Sequence, residues 1–372
     1  MPAWRLDPEV DPAAVGLDPA KLDAIAADFH AAVEGQELFG GAQLALFRDG
    51  RRVLDLGGGF SGGGTDPAPL GPDSLFVIFS ASKGLAALAM LILYERFQLH
   101  FDEPVMRYWP SFADSVPEKA QVTIRQVLSH RAGFPHGPRW LVPALWGDRE
   151  AIRRAAEEAP VVWPPGAKNG YHEMTFGHVV NELLLRIDGR HCGRFLADEV
   201  FGPLGLHDIY LGLPAGAAIE ARVARIESAG GDDSPFNLAA VHRAVLPAAG
   251  AIAAARDLGR VFAALACGGS LEGVRLVSEA GLEATTAPTN RAGEIDQSMR
   301  LPMRWGTGWQ LGGFGGGGLR VFGHMGRGGQ VVYADRERRL AFAFLTTGFR
   351  DQAQGLIWRS RLGTLAFAAC RD

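Results

Sequence analysis

Two features of membrane-spanning and exported proteins are missing from this sequence. Its longest apolar run, GLAALAMLIL from Gly84 to Leu93, is too short to cross a bilayer. The N-terminal stretch MPAWRLDPEVDPAAVGLDPA carries prolines and acidic residues where a secretory signal has a basic start and an apolar core. The sequence therefore predicts a cytoplasmic protein with no membrane partner.

Cysteine is scarce. The three cysteines, Cys192, Cys267 and Cys370, form no C-x-x-C pair and leave one unpaired in any disulfide scheme. This usage is typical of a reducing compartment, and free cysteines are readily buried as small apolar side chains. We expect all three to be packing residues.

Signatures of nucleic-acid, metal and nucleotide binding are also absent. The formal net charge is -4 with both signs mixed along the chain, so no basic surface for a nucleic acid is indicated. None of the ten histidines belongs to an H-E-x-x-H motif, and pairs such as His130 and His136 lack the i, i+4 spacing of helical zinc ligands. The run GGFGGGG lacks the Gly-Lys-Ser/Thr ending of a phosphate-binding loop. The sequence predicts neither a metal nor a cofactor.

Helix and strand patterns alternate along the first part of the chain. A capping Asp18 and an apolar pattern of helical period predict a helix that ends near Val33. The residues RDGR at 48–51 separate two apolar runs, GAQLALF and RVLDLG, as in a β-hairpin. A strand-like LFVIFS then leads into a helix from about Ser80 to Gln98.

The middle of the chain is mostly helical. Candidate helices lie at 149–158, 175–187 and 255–266, separated by breaks rich in proline and glycine. Four strand patterns follow, and a last amphipathic helix runs from about 352 to 369; the strand patterns are WGTGWQL, LRVFGH, GQVVYAD and LAFAFLTT.

Strands at both ends around a helical middle predict an α+β fold. We expect segments 1–120 and 287–372 to form one antiparallel sheet flanked by the terminal helices. Residues 121–286 would then form an inserted, mostly helical domain. A functional site is expected in the crevice between the two parts.

Two serines are candidates for a nucleophile. The residues GFSGG at 59–63 match the G-x-S-x-G pattern of one class of hydrolase, but that pattern needs a helix directly after the serine. Ser61 is followed by GGGTDPAPLGPD, whose glycines and prolines cannot form a helix. We therefore interpret GFSGG as a loop that matches the pattern by chance.

The second candidate, Ser80, lies in FSASKG at 79–84, where a strand pattern becomes a helix. Positions i and i+3 share a helix face, so the Lys83 amine can reach the Ser80 hydroxyl, and the start of the helix offers N–H groups to an oxyanion. Lysine acts as a base only if its amine is neutral, which the apolar helix after Lys83 can favour by desolvation. The alternative is that Ser80 caps the helix and Lys83 points to solvent.

Several longer stretches extend this pair into a family pattern. They are VIFSASKGLAALAMLILYERFQLHFDEPVMRYWPSF, VTIRQVLSHRAGFP, VVWPPGAKNGYHEMTFGHVVNELLLRIDGR, AGAIAAARDLGRVFAALACGG, WGTGWQL and GHMGRGG. In this order they resemble the serine hydrolases of the class C β-lactamase and penicillin-binding superfamily, particularly the family VIII carboxylesterases. The resemblance covers most of the chain from Phe76 to about Gly329 and implies a β-lactamase-like fold.

The resemblance also implies roles for individual residues. Ser80 would be the nucleophile, Lys83 its partner and Tyr171, in GYHEMTFG, the catalytic tyrosine. A phenol becomes a useful base or proton shuttle when a lysine cation beside it lowers its pKa from about 10. The alternative for Tyr171 is a half-buried packing aromatic after a proline-rich turn.

A third motif would line the edge strand of the site. His324 stands where many β-lactamases have the lysine of Lys-Thr-Gly, and His324 and Gly326 would line this edge. In the family, an amide just after this motif completes the oxyanion hole with the amide of the nucleophile. By position these amides belong to Arg327 and Ser80.

Two departures from the β-lactamase pattern shape the predicted substrate. Glu173 replaces an asparagine two residues after the tyrosine, and His-Met-Gly replaces Lys-Thr-Gly. The missing lysine would meet a substrate carboxylate, so its loss disfavours β-lactams and D-peptides but costs an uncharged ester nothing. Glu173 could also stabilise protonated Lys83, which would favour Tyr171 as the working base.

These observations predict a serine carboxylesterase that acts on small-molecule esters of short to medium acyl chains through an acyl-enzyme on Ser80. The alternatives are an acyltransferase of the same family, low-level β-lactamase or D-amino peptidase activity, and a non-catalytic ligand-binding member. Five tryptophans lie in or near loops that could rim the crevice, although packing is the commoner role of such residues; they are Trp140, Trp146, Trp163, Trp305 and Trp309. The oligomeric state is not predicted.

Overall fold

The computed structural model describes residues 3–35, 40–61, 68–227 and 234–371. Its helices are α1 (Pro19–Gly35), α2 (Ser82–Glu95), α3 (Ile124–Leu128), α4 (Arg149–Glu158), α5 (Thr175–Ile187), α6 (Cys192–Leu196), α7 (Ala217–Glu220), α8 (Ala239–Arg243), α9 (Ala255–Ala266), α10 (Glu279–Thr286) and α11 (Gln352–Ala368). Its strands are β1 (Trp4–Arg5), β2 (Gly41–Arg48), β3 (Arg51–Ser61), β4 (Ala68–Pro69), β5 (Phe76–Val77), β6 (Ile209–Leu211), β7 (Ala251–Ala253), β8 (Ser270–Leu271), β9 (Val274–Arg275), β10 (Gln310–Leu311), β11 (Val321–Met325), β12 (Val331–Asp335) and β13 (Leu340–Thr346).

One antiparallel sheet is built from the two ends of the chain, as predicted. Its strands lie in the order β1-β3-β2-β13-β12-β11-β10, and β4 pairs with the end of β3. Asp49 and Gly50 join β2 to β3 with φ of 50° and 76°, the left-handed pair that a two-residue hairpin requires. The N-terminal hairpin then pairs directly with the last strand, β13.

Different helices cover the two faces of the sheet. Successive side chains of a strand point to opposite faces. Along β2, Leu44 and Leu46 therefore pack with α1 and α11, whereas Ala45 and Phe47 pack with α2 and α9. Helix α2 is buried on all sides from Ser82 to Leu93, which explains why its sequence is apolar throughout.

The middle of the chain is mostly helical, and its strands β6 and β7 form a small sheet with β5 from the N-terminal part, in the order β5-β7-β6. Three of its helices, α4, α5 and α9, have the bounds that the sequence patterns predict. Helix α9 packs on β2, β12 and β13 of the large sheet. The division into domains at 120 and 286 stays a prediction.

Two predicted elements are shorter than their apolar patterns. The run LFVIFS forms a strand only at Phe76–Val77, and helix α2 begins at Ser82 because a separate 3-10 turn occupies Phe79–Ala81. The pattern WGTGWQL forms a strand only at Gln310–Leu311. There the backbone turns over α2 at Gly308 (φ 90°), where a Cβ atom would lie 2.5 Å from the Cβ of Ala87.

Membrane-spanning helices and metal-binding clusters are both absent from the residues that the structure describes. No helix found there has both the length and the apolar character needed to cross a membrane. No group of three or more histidine, cysteine or acidic side chains found there could hold a metal ion.

A buried lysine holds the end of helix α4. The Lys119 amine donates hydrogen bonds to the carbonyl oxygens of Ala156 (2.7 Å) and Glu157 (2.8 Å), which the helix itself leaves unpaired at its C-terminus. The amine lies 5.2 Å from the ring centroid of Phe112 and 5.0 Å from that of Phe134. Lys119 has no exposed surface, and this burial lowers its pKa to about 7.

We expect Lys119→Met to flatten the pH dependence of stability. In the unfolded chain the amine keeps a pKa near 10.5, so between pH 7 and that value the unfolded state binds one more proton than the folded state. The contribution of Lys119 to the free energy of unfolding therefore rises by about 1.4 kcal/mol per pH unit in this window and is lost as the pH falls toward 7. Urea unfolding at several pH values measures the slope. The exposed Lys168→Met is the control and should keep the wild-type slope; equal slopes in all three proteins would contradict the expectation.

Candidate active site

Ser80 lies in a strained turn between β5 and α2. Phe79, the residue before it, has a φ of +46°, a conformation that aromatic side chains rarely adopt. The Ser82 hydroxyl holds the turn in place, because it donates to the Phe79 carbonyl (2.5 Å) and accepts from the amide of Ala251 in β7 (3.0 Å). The Ser80 side chain remains partly exposed. The turn thus presents one hydroxyl at the edge of a buried helix.

The Lys83 amine is buried between three oxygen atoms. It donates to the carbonyl oxygens of Glu173 (2.7 Å) and Ala248 (3.0 Å), and it lies 3.4 Å from the Ser80 hydroxyl oxygen. A neutral amine has two N–H groups and one lone pair. With both N–H groups taken by carbonyls, the remaining direction faces Ser80.

Two packing features bring these carbonyl oxygens to the amine. Glu173 lies two residues before the start of α5, which packs on α2. Gly177 of α5 lies so close to Ala248 that a Cβ atom at position 177 would be 2.4 Å from the Ala248 amide nitrogen. The close approach of α5 therefore places one carbonyl on each side of the Lys83 amine.

Burial lowers the pKa of Lys83 to about 7, and the Glu173 carboxylate acts in the opposite direction. The side chain has no exposed surface. Near neutral pH a large fraction of the amine is therefore uncharged and can accept a proton. The alternative of a solvent-facing Lys83 does not occur.

Tyr171 lies beside this pair. Its ring centroid is 4.7 Å from the Lys83 amine, and its hydroxyl is buried without a hydrogen-bond partner of good geometry among the described residues. Burial raises the pKa of Tyr171 above its usual value of 10, although the nearby Ser80 hydroxyl acts in the opposite direction. The sequence predicts that the lysine lowers this pKa, and that prediction is wrong. The phenol therefore stays protonated.

His324 lies in β11, which is not the edge strand that the resemblance implied but its neighbour, since the short β10 forms this edge of the sheet. The His324 ring centroid is 6.0 Å from that of Tyr171. Its Nδ1 atom lies 2.6 Å from the Met325 carbonyl oxygen, so Nδ1 carries the proton and Nε2 is a buried acceptor without a partner among the described residues. Burial, and then the Lys83 charge, lower the pKa of His324 to about 3. The ring is neutral and supplies no cation at this edge.

The end of β11 comes directly against the Ser80 turn. A Cβ atom on Gly326 would lie 2.5 Å from the carbonyl oxygen of Ile78, so this approach needs glycine. The Gly326 amide is engaged with the Gln330 carbonyl (2.8 Å). The amides of Ser80 and Arg327 have no hydrogen-bond partner among the described residues.

Glu173 and Ser61 differ in their relation to the site. The Glu173 side chain is exposed, while its backbone carbonyl binds Lys83. Ser61 is the last residue of β3, and its hydroxyl accepts from the backbone amide of Arg225 (2.9 Å). The glycines that follow Ser61 lie outside the described residues.

Two residues that sequence reasoning missed hold the backbone around Tyr171. His130 accepts from the Gly170 amide through its carbonyl (2.9 Å) and from the His172 amide through its Nδ1 atom (3.1 Å). Asp296 accepts from the Tyr171 amide itself (2.9 Å). His130 could have been noticed in LSHRAGFP, but nothing in the sequence marks Asp296, which lies 125 residues after the tyrosine.

Of the five loop tryptophans, Trp305 belongs to the site. Its ring stacks on Tyr171 at a centroid distance of 5.7 Å and an angle of 15°. Trp309 is fully buried in the core, while Trp146 packs on Phe236, whose ring meets Phe79 beside Ser80 at 5.0 Å. Trp140 packs on Arg154.

The chain is similar to known proteins over most of its length. The family model described as Beta-lactamase matches residues 23–365. The chain is 30% identical over 344 residues to the Esterase/beta-lactamase LipL of Mycobacterium tuberculosis, and the alignment covers 82% of this chain and 77% of LipL.

Two solved structures are similar over nearly their whole length. A penicillin-binding protein homologue from Caulobacter crescentus has a TM-score of 0.83 and 31% identity, and the match covers 95% of this chain and 99% of that one. A family VIII carboxylesterase has a TM-score of 0.81 and 29% identity, with 93% and 99% covered.

We expect Glu173→Gln to lower the pH at which Ser80 becomes reactive. The carboxylate raises the pKa of Lys83, so its removal should shift the acid limb of the pH profile to lower pH, by less than about one unit because the side chain is exposed and screened. The rate of labelling of Ser80 by a serine-directed phosphonate, measured between about pH 5 and pH 9, reports this limb. Glu283→Gln, another exposed glutamate, is the control. If the acid limb of the pH profile is the same in Glu173→Gln and in the wild type, the Glu173 carboxylate has no effect on Lys83.

Proposed function

The chain belongs to the beta-lactamase family, and we propose that it is a serine carboxylesterase that hydrolyses small carboxylic esters through an acyl-enzyme on Ser80. Its relatives include proteins named as esterases, and a family VIII carboxylesterase shares its fold at 29% identity. The proposal rests on these relatives and on the chemistry of the site.

One observation carries the assignment of the nucleophile. The Lys83 amine is buried, has both N–H groups directed at carbonyl oxygens and has its third direction toward Ser80. A serine hydroxyl is a weak nucleophile until a base takes its proton. The pKa of Lys83, about 7, suits a base that must both accept and return a proton near neutral pH.

In the first step, the Ser80 oxygen attacks the ester carbonyl carbon and its proton passes to the Lys83 amine. The carbonyl oxygen becomes an oxyanion, for which the unpartnered amides of Ser80 and Arg327 are the available donors. Lys83 becomes an ammonium ion that hydrogen bonds hold in place. The carbon–oxygen bond to the leaving alcohol then breaks.

The leaving alkoxide needs a proton, and Tyr171 is placed to supply it. Its phenol is protonated and lies beside both Ser80 and Lys83, so it can give its proton to the alkoxide and regain one from the Lys83 ammonium ion. Water then attacks the acyl group on Ser80 in the reverse sequence of proton transfers, and the carboxylic acid leaves. The cycle returns Ser80, Lys83 and Tyr171 to their starting states.

The third motif favours an uncharged substrate. A β-lactam or a peptide carboxylate would need a cation at the third motif on β11, but His324 there is buried and neutral. An ester without a carboxylate loses nothing at this position. Phe79, Phe236 and Trp146 form an aromatic row that begins beside Ser80 and suits an apolar acyl group.

We expect the protein to hydrolyse p-nitrophenyl esters from acetate to octanoate, with the short and medium chains preferred. Ser80→Ala should lose about 10³-fold or more of kcat, because the nucleophile is removed. The matched control is Ser61→Ala, which should keep wild-type activity. Release of nitrophenolate measures both, and nitrocefin tests β-lactam hydrolysis.

Each other outcome of this assay is decisive. Loss of activity in Ser61→Ala alone would overturn the choice of nucleophile. A wild-type protein that cleaves nitrocefin as fast as the esters would make it a β-lactamase. Inactivity on every ester, with no labelling of Ser80 by a phosphonate, would favour a ligand-binding protein.

The oxyanion hole can be tested through the backbone. Arg327→Pro removes the amide hydrogen, and proline fits at the first position of the 3-10 turn after an extended Gly326 (φ -116°, ψ 161°). We expect kcat for ester hydrolysis to fall by about 10²–10³-fold, as for the loss of one oxyanion donor. Arg327→Ala keeps the amide and should stay within about threefold of the wild type. Equal activity of both variants would show that this amide does not serve the oxyanion.

A further inference from the structure

We propose that Asp296 is a positioning residue of this site: its buried carboxylate fixes Tyr171 and Trp305 as one unit, so that the phenol stays directed at Ser80 and Lys83. This inference rests on the proposed function. It adds to it a residue that lies in a loop between α10 and β10, outside every motif that the sequence analysis found.

The carboxylate of Asp296 joins two elements of the site. Its Oδ1 atom accepts from the amides of Tyr171 (2.9 Å), Ser298 (3.0 Å) and Met299 (3.0 Å). Its Oδ2 atom accepts from the indole nitrogen of Trp305 (3.2 Å). One side chain therefore fixes the tyrosine backbone and the ring that stacks on the tyrosine.

The chemistry of these partners requires aspartate. All four are N–H donors, so both oxygen atoms of the side chain must accept hydrogen bonds. Asparagine has the same shape, but it would present an NH₂ group either to the Trp305 indole or to the three amides. An aspartate is the smallest side chain that satisfies both sides.

Asp296 has no exposed surface and forms no salt bridge within the described ranges. Burying a carboxylate without a cation is costly unless hydrogen bonds replace the lost water. A loop that needed only mechanical stability would be served by a neutral side chain at lower cost. The carboxylate also acts on the tyrosine: burial is the main cause of the raised pKa of Tyr171, and the charges of Glu173 and Asp296 add to it.

Trp305 completes the unit from the other side. Its ring lies nearly parallel to the Tyr171 ring, with a centroid distance of 5.7 Å, and it also meets His130 at 4.4 Å. His130 in turn holds the backbone on both sides of Tyr171. The Tyr171 ring is thus stacked on Trp305, and hydrogen bonds fix the backbone amides of Gly170, Tyr171 and His172. Asp296 adds direct hydrogen bonds to both the Tyr171 amide and the Trp305 indole.

The role of the phenol suggests a selective test. An alkyl ester releases an alkoxide that needs a proton from Tyr171, whereas p-nitrophenolate leaves without one. A variant that misplaces the phenol should therefore lose much more activity on ethyl butyrate than on p-nitrophenyl butyrate. A variant that is only less stable should lose both activities equally.

The experiment compares kcat/KM for these two esters in the wild type, Asp296→Asn, Tyr171→Phe and the double variant. We expect Asp296→Asn to lower kcat/KM for ethyl butyrate by about 10–100-fold, as for a small misplacement of a reacting group. The loss of kcat/KM for p-nitrophenyl butyrate should be smaller by a factor of at least about ten. Because Asp296 acts through Tyr171, the double variant should be no slower than Tyr171→Phe alone.

A matched control separates position from stability. Asp335 is also fully buried, and its carboxylate accepts from the amides of Glu337 (2.9 Å) and Arg338 (3.2 Å) in the hairpin between β12 and β13. Unlike Asp296, it also forms a salt bridge, to the Arg338 guanidinium (2.9 Å). Asp335→Asn should lower the melting temperature but keep the wild-type ratio of the two activities.

The outcomes distinguish this inference from the proposed function. If Tyr171→Phe changes the ratio of the two activities and Asp296→Asn does not, the inference is wrong and the function stands. If the losses of the two single variants multiply in the double variant, Asp296 acts by another route and the inference is again wrong. If the wild type hydrolyses neither ester, the proposed function fails and the inference fails with it.

Discussion

The burial of one amine is the constraint on which the rest of the site depends. Lys83 lies on a helix that is apolar on every side, and an ammonium ion there would be poorly solvated, so its pKa is lowered to about 7. The carbonyl oxygens of Glu173 and Ala248 replace water at its two N–H groups. The positions of the start of helix α5 and of the segment before β7 are therefore constrained by hydrogen bonds to this amine.

The surroundings of Lys83 are arranged so that few other groups titrate near neutral pH. The buried histidines His130, His172, His178 and His324 all have lowered pKa values, caused first by burial and also by the Lys83 charge. They stay neutral and act as hydrogen-bonding or packing groups. The proton that moves in the proposed reaction is thus passed between Ser80, Lys83 and Tyr171, without a competing imidazole. The positive φ of Phe79 and the burial of the Asp296 carboxylate are both energetically unfavourable features of this site.

The sequence predicted much of this because local patterns were strong. RDGR predicted the hairpin, helical periods predicted the bounds of α4, α5 and α9, and FSASKG indicated Ser80 and Lys83 as candidates. Tyr171 came from the family resemblance. The sequence-based prediction failed where a contact between distant segments sets a property of a residue. The pKa of Tyr171 was expected to fall beside a cation, but burial raises it, and burial of a single side chain is a property of the whole packing.

By itself, the sequence determined the α+β class, the pairing of the chain ends in one sheet and the residue types available for nucleophilic chemistry, because these follow from hydrophobic period, turn residues and spacing within one element. The tertiary structure decided which of these residues meet. It placed two carbonyls from separate segments on Lys83, the end of β11 against the Ser80 turn, and Asp296 beside the Tyr171 amide across 125 residues of sequence. Such contacts depend on how helices and strands pack in space, and no local pattern encodes them.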